Sequence, residues 1–273
     1  MRTNFGAGFH MAPGQAVDTS AYDRWTGRWS RLFVPAVLDA AEVAPGQRVL
    51  DVSTGTGEAA RAALPIIGTS GLVIGADIAP PMLEAASGRL NQSAFLPVAA
   101  DGQALPFSDG SFDAVVCQLG LQFFPDPALG LREFRRVLRT GCCAAVCLIA
   151  TPERAPMWGI FADAVGRLLP AQRDIVHLSF TLADPDRLER LFIGAGFRDV
   201  RVAPEKREDI NESFDDYWEP IEAGVGSTPQ AYLSLSEVDR RSVRDEVRAR
   251  LSRFESQGRL IMSVEMLVGS GRA

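Results

Sequence analysis

The chain has 273 residues but only one lysine, Lys206, and two histidines, His10 and His177. Acidic residues outnumber basic ones, 34 to 28, for a formal net charge of -6. Contact with a polyanion needs clustered Lys and Arg. Here the arginines are scattered, so no nucleic acid partner is expected. No run approaches the roughly 18 apolar residues of a spanning helix, so no membrane span is expected either. The opening MRTNFGAGFHMAPGQ lacks the continuous apolar stretch of a signal peptide. Cys117, Cys142, Cys143 and Cys147 lie inside apolar runs, away from the spacings of a disulfide framework or a zinc site. They read as buried free thiols in a reducing cytoplasm, and no metal is expected.

What is present suits a full-sized core, with 47% hydrophobic residues. Residues 1–20, rich in Gly, Ala and Pro and without a period, read as a mobile arm. No repeat and no long linker divides the remainder, so residues 21–273 are expected to form a single domain. From Ala21 a helix is predicted, with Trp25, Trp29, Leu32 and Phe33 at helical spacing. It packs on a sheet or serves as a lid; Tyr22, Trp25 and Arg31 are the residues that would face a site.

Alternation then sets in. Strands are predicted at 48–52, 72–77, 95–100, 112–118 and 142–149, with helices at 58–67, 81–91 and 128–138 between them. Strands apolar throughout and separated by helices indicate a parallel sheet covered on both faces. Beyond residue 150 come helices at 156–169, 184–195, 214–223 and 237–254 and strands at 197–203 and 260–268. The helices near 151–180 and 211–256 are expected to form a cap.

The stretch at 49–60, VLDVSTGTGEAA, organises this pattern. A short apolar run meets a glycine-rich turn, and a helix follows. Glycines let the backbone come close, and free N–H groups at the helix start favour acceptor atoms, so the turn suits a nucleoside-containing ligand. Three acids fall at strand ends near it: Asp51, Asp77 and Asp101. Asp77 lies twenty positions past Gly57, the separation at which an acid can accept both ribose hydroxyls. Asp101 is placed to accept from the exocyclic amine of adenine, with Gly102 and Gln103 against the ring edge. Any one of these acids would be an ordinary helix cap; three beside one glycine turn point to adenosine. Gly55–Ala60 also satisfies G-x-G-x-x-A, so a nicotinamide-dependent dehydrogenase is an alternative.

Residues 22–150 resemble class I S-adenosylmethionine-dependent methyltransferases, of the small-molecule type found in ubiquinone and menaquinone pathways. The resemblance rests on VLDVSTGTG, GADIAPPML, AADGQALPFSDGSFDAVVCQLGLQFFPDP and LREFRRVLRTG, in that order. It implies an α/β, Rossmann-like, doubly wound, seven-stranded and mostly parallel sheet with an antiparallel last strand, and S-adenosyl-L-methionine as cofactor. By position it implies that Gly55 and Gly57 approach the methionine part and ribose, with contacts from Asp51, Ser53 and Thr54. Asp77 would hold the ribose, Ile78 and Met82 the adenine, and Asp101 its amino group. Gln118 would offer its backbone carbonyl to the methionine ammonium, and Arg31 would face the carboxylate. The chain departs from the family pattern in three places. Ser53 stands for the first glycine, Gln122-Phe123-Phe124 where histidine is frequent, and Thr140 for a proline.

Methyl transfer from a sulfonium is an in-line displacement in which proximity and orientation supply much of the acceleration. A base is needed only for a protonated nucleophile; His10 and His177 are the candidates. Tyr22, Trp25, Gln122, Trp158, Phe180 and Trp218 are expected to line a largely apolar pocket for an aromatic, polyketide-like or prenyl-type small molecule. Asp101, the SFDAVV strand and the two terminal strands disfavour the dehydrogenase. A protein that binds the cofactor without methylating, as a regulator or for a cyclisation, is the other alternative. A homodimer stays open.

Overall fold

Val49, Leu50 and Val52 are all buried, and a strand apolar on both sides needs cover on both. That requirement shapes the molecule, whose computed structural model describes residues 19–90, 94–224 and 226–273. A helical rod comes first: α1 (Thr19–Tyr22), a π-helical turn (Asp23–Gly27) and α2 (Arg28–Ala40). There follow β1 (Arg48–Val52), α3 (Glu58–Ile67), β2 (Leu72–Asp77), α4 (Pro80–Leu90), β3 (Phe95–Ala99), β4 (Phe112–Gln118), α5 (Pro127–Val137) and β5 (Leu138–Ile149). The second half supplies α6 (Pro156–Leu168), α7 (Arg173–Val176), α8 (Pro185–Gly194), β6 (Arg198–Asn211), α9 (Phe214–Glu222), α10 (Ser227–Leu233), α11 (Glu237–Leu251), β7 (Glu255–Ser256) and β8 (Arg259–Arg272).

Side chains set several helix starts. Asp126, Asp184, Ser213 and Ser236 each accept a backbone N–H of the first turn they precede, and Pro127 and Pro185 sit just inside α5 and α8. Both are standard helix-start devices: a capping oxygen for an orphan N–H, and a proline with no N–H to lose.

The strand order is β3-β2-β1-β4-β5-β8-β6, with β7 paired to β8. β1 to β5 run parallel, while β8 is antiparallel to both β5 and β6. Alternate strand residues feed two cores. Val49 joins Trp29, Phe33 and Phe161 on one face, and Leu50 joins Phe134, Leu188 and Phe192 on the other. The order reverses between β1 and β4, and ligands of such sheets bind at the carboxyl ends of the strands there.

The terminal strands depart from expectation. β6 and β8 are 14 residues each, well beyond 197–203 and 260–268, and β7 adds a two-residue eighth strand. β5 covers β8 only from Met266 to Arg272, so the other half of the β6–β8 ribbon projects past the sheet. Its inner residues Leu260, Met262 and Val264 are buried against the layer to which α6, α9 and α11 contribute. The missed part of β6, PEKREDIN, is charged because β6 is an edge strand, and charge there blocks further pairing. Among the described residues no helix is long and apolar enough to cross a membrane.

Candidate active site

β1 delivers the chain into a turn that most residues cannot make. Ser53, Gly55 and Gly57 have φ of 57°, 54° and 87°. Left-handed backbone is ordinary for glycine and uncommon for serine. At Gly57 a side chain is excluded as well, because a Cβ would lie 2.9 Å from Leu90 Cδ1 and 3.3 Å from Ala86 Cβ on α4. Ser53 fits because the residue opposite is Gly120, where a Cβ would come within 2.5 Å of Ser53 Cβ.

Two buried carboxylates hold the turn. Asp77, ending β2, accepts from Gly55 N at 2.8 Å and Ala79 N at 2.9 Å, one bond on each oxygen. Burial pushes its carboxyl above the usual range despite those bonds. Asp51 Oδ2 accepts from Thr54 Oγ1 at 2.6 Å and Ala60 N at 3.0 Å. Burial outweighs both bonds and raises Asp51 to about 7.

Three cavities meet beside the turn. The main cleft, about 880 Å³, opens at the ends of β1, β2 and β4. It brings together Ser53, Gly55, Asp77, Ile78, Met82, Asp101, Gly102, Gln103 and Gln118. Asp101 Oδ1 accepts from the backbone N of Gln103 at 2.8 Å and from its side chain at 3.3 Å. A smaller polar cavity of about 320 Å³ lies behind the turn, lined by Asp51, Thr54, Thr56 and Glu58 and sharing Ser53 and Gln118 with the cleft. The third, about 710 Å³, is largely aromatic, with Trp25, Phe123, Trp158, Phe161, Phe180 and Gln122 in its wall.

Tyr22 and Leu119 border all three cavities. Leu119 was not foreseen. It has φ of 56°, a strained geometry for a bulky residue. The strain is held from both sides: its N–H donates to Cys147 O at 2.9 Å, and its carbonyl accepts from Gln122 Nε2 at 3.0 Å. Burial, and then the Asp77 charge, push the Tyr22 phenol well above its ordinary range. It therefore stays a hydroxyl donor.

Other expected residues lie elsewhere. Arg31 does not reach the cleft; its Nη1 pairs with Glu58 Oε1 at 2.9 Å. Glu58 also takes Arg61 at 2.9 Å and Arg89 at 2.7 Å. Burial opposes its charge, yet hydrogen bonds from Arg89 and Arg61 leave its carboxyl below the usual range. Arg89 and Thr56 both donate to Asp23 Oδ1 at 2.7 Å, latching the helical rod onto the glycine turn. Gly57 shapes the turn without lining the cleft. Trp218 is not in the aromatic wall; it is buried against Phe214 and Phe161, with Nε1 donating to Glu222 at 3.0 Å. His177 faces Asp163 at 4.0 Å and lines none of the three cavities. His10 lies outside the described residues, as does most of the 1–20 arm.

The site fits S-adenosylmethionine on the structure's own terms. Asp51 Oδ1 and Gln118 Oε1 are buried without a hydrogen-bond partner among the described residues, and both residues line the polar cavity. Buried acceptors left unpaired are costly, and a cationic amino group would satisfy them. Asp77 and Asp101 each present acceptor capacity to the main cleft.

The profile of the ubiE/COQ5 methyltransferase family matches residues 27–203. The chain is 34% identical to the demethylmenaquinone methyltransferase of Corynebacterium kroppenstedtii, over 64% of this chain and 78% of that one. It is 36% identical to the Renibacterium salmoninarum protein of the same name, over 64% and 75%. Among solved structures, a candidate methyltransferase of Bacillus halodurans aligns with TM-score 0.60 at 20% identity, covering 88% of this chain and 97% of that one. The cyclase SpnF aligns with TM-score 0.55 at 16% identity, over 89% and 81%. At such identities the structural likenesses speak for the fold alone.

Proposed function

The chain belongs to the ubiE/COQ5 methyltransferase family and is an S-adenosylmethionine-dependent methyltransferase; from that premise we propose that it methylates a small, largely apolar aromatic acceptor held in the 710 Å³ cavity. The observation that carries the reading is the meeting of this aromatic cavity with the cofactor cleft at Tyr22 and Leu119. The relatives are named for demethylmenaquinone. A quinone-type ring is accordingly the first acceptor class to try, and a flat ring suits walls made of Trp25, Trp158, Phe161 and Phe180.

In this reading Asp77 accepts the ribose hydroxyls, Asp101 the adenine amine, and Ile78 and Met82 pack against the base. Asp51 and Gln118 take the methionine ammonium. Arg31, engaged by Glu58, is left out of the contacts to the methionine carboxylate. The bound cofactor supplies an electrophilic methyl group on a cationic sulfur. The chain's part is to hold the acceptor in line with that group and to keep water out, which is where proximity catalysis gains its rate. Tyr22, fixed as a phenol, donates a hydrogen bond at the junction of the two cavities and removes no proton. The helices α6, α7, α9, α10 and α11 form the acceptor cap of a single domain over residues 21–273.

The reading is tested by incubating the protein with S-adenosylmethionine and a panel of naphthols, hydroquinones and phenols, and measuring S-adenosylhomocysteine. Product that appears only with an added acceptor supports it. Retained cofactor binding with no product from any aromatic acceptor overturns it.

A further inference from the structure

We infer that the aromatic cavity selects uncharged acceptors carrying a hydroxyl or N–H donor, and that Gln122 is the specificity-determining residue that accepts from that donor. The inference rests on the aromatic cavity being the acceptor site.

Gln122 sits in the 3-10 turn Leu121–Phe123 directly after β4 and lines the cavity. It is only 3% exposed, and its Oε1 has no donor among the described residues. The amide cannot swivel to find one. Its Nε2 donates to Leu119 O at 3.0 Å, and exchanging N for O would set two carbonyl oxygens against each other. The backbone is held as well, since Phe123 N donates to Gly120 O at 2.9 Å and Phe124 N to Leu121 O at 3.1 Å on either side of Gln122. The turn therefore holds an unpaired acceptor buried in the cavity wall. A buried carbonyl in that condition is penalised until a ligand brings it a proton donor.

The rest of the lining sets the ligand's charge. Among its described residues there is no Lys, Arg, His, Asp, Glu or Cys. An anionic acceptor would leave water without a cation to meet it, and an ammonium without a carboxylate. The remaining polar groups are hydroxyls, the indole N–H groups of Trp25 and Trp158, and one amide. Thr228 is already committed, donating to Val176 O at 2.9 Å. Neutral aromatic rings bearing a donor satisfy the Gln122 oxygen; their ethers and their carboxylates, which can only accept, do not.

The test uses the full chain saturated with S-adenosylhomocysteine and follows quenching of Trp25 and Trp158 fluorescence. The probes are 1-naphthol, 1-methoxynaphthalene and 1-naphthoate. The wild type is expected to bind the naphthol at least about tenfold more tightly than its methyl ether, and the naphthoate least, because a site built around a hydrogen bond rejects ligands that cannot make it. In Gln122→Leu the naphthol-to-ether ratio should fall to near one, with the ether bound as well as before. Gln122→Met, of similar length and shape, should show the same collapse, and melting curves and cofactor affinity of both variants show whether losing the Nε2 bond to Leu119 O has disturbed the fold. Equal binding of naphthol and ether by the wild type, or an unchanged ratio in a folded variant, overturns the inference. Failure of all three probes to bind overturns the acceptor reading beneath it as well, while ether binding without discrimination leaves that reading standing.

Discussion

Ser53 and Gly120 face each other across the ends of β1 and β4, so close that a Cβ on Gly120 would lie 2.5 Å from that of Ser53. A serine with φ of 57° is accommodated in the glycine turn only because its neighbour has no side chain. Gly120→Ala should thus cost about 1–3 kcal/mol of stability through overpacking and weaken cofactor binding. Adding Ser53→Gly should restore part of both, since it removes the two contacts with Ser53 and relieves the left-handed serine, while Cys117 Sγ stays at 2.9 Å. Thermal melts and cofactor titration of the two single variants and the double variant check this; additive losses would show that the residues do not oppose each other.

Asp77→Asn is expected to weaken S-adenosylmethionine binding by about 1.5–3 kcal/mol, the scale of a lost hydrogen bond to a charged acceptor. The amide would also turn an N–H toward Gly55 N or Ala79 N, both of which now donate to the carboxylate. Calorimetric titration measures the loss, and unchanged affinity removes Asp77 from the cofactor site.

The pH dependence follows from Asp51, which burial raises to about 7. The unfolded chain releases this proton near pH 4, whereas the native protein holds it to about 7. Between those values the native state binds the extra proton, so this group makes stability fall as pH rises, with no further change above about 7. Cofactor binding runs the other way. An ammonium beside Asp51 favours the carboxylate, so affinity should rise up to about tenfold per pH unit below pH 7 and level off above it. Titrations across pH 5.5–8.5 check the slope, and Asp51→Asn should flatten it.

Much of this was legible in the chain itself. The alternation of apolar strands and helices located β1, β2 and β4 to the residue, because a doubly covered parallel strand leaves a continuous apolar run. Asp77 is legible from its spacing to the glycine turn and Asp101 from its place at a strand end, while Gln118 comes from the family resemblance; the parallel topology brings all three, with Gly55, to one cleft. What escaped depends on pairs far apart in sequence. Leu119 carries no sign of its left-handed backbone, which is imposed by Cys147 on the next strand and by the Gln122 amide. Arg31 has the charge for a cofactor carboxylate, but Glu58, sitting in the first turn of α3, competes for it at short range. Trp218 and Trp158 look alike at helical spacing. Only the packing of α9 on the β6–β8 ribbon sends one into the core, while the other borders the cavity.

The central claim, that the acceptor occupies the aromatic cavity and is methylated across the Tyr22–Leu119 junction, is tested most directly by filling that cavity. Ser179 lines it and is partly exposed, so Ser179→Phe adds bulk to the open space rather than to the packed core. With methyl-labelled S-adenosylmethionine and an acceptor used by the wild type, the variant should keep its melting temperature and cofactor affinity. Its transfer of label should fall by about a hundredfold or more, as expected when acceptor positioning is lost. Label transfer at the wild-type rate by a folded Ser179→Phe protein would contradict the account.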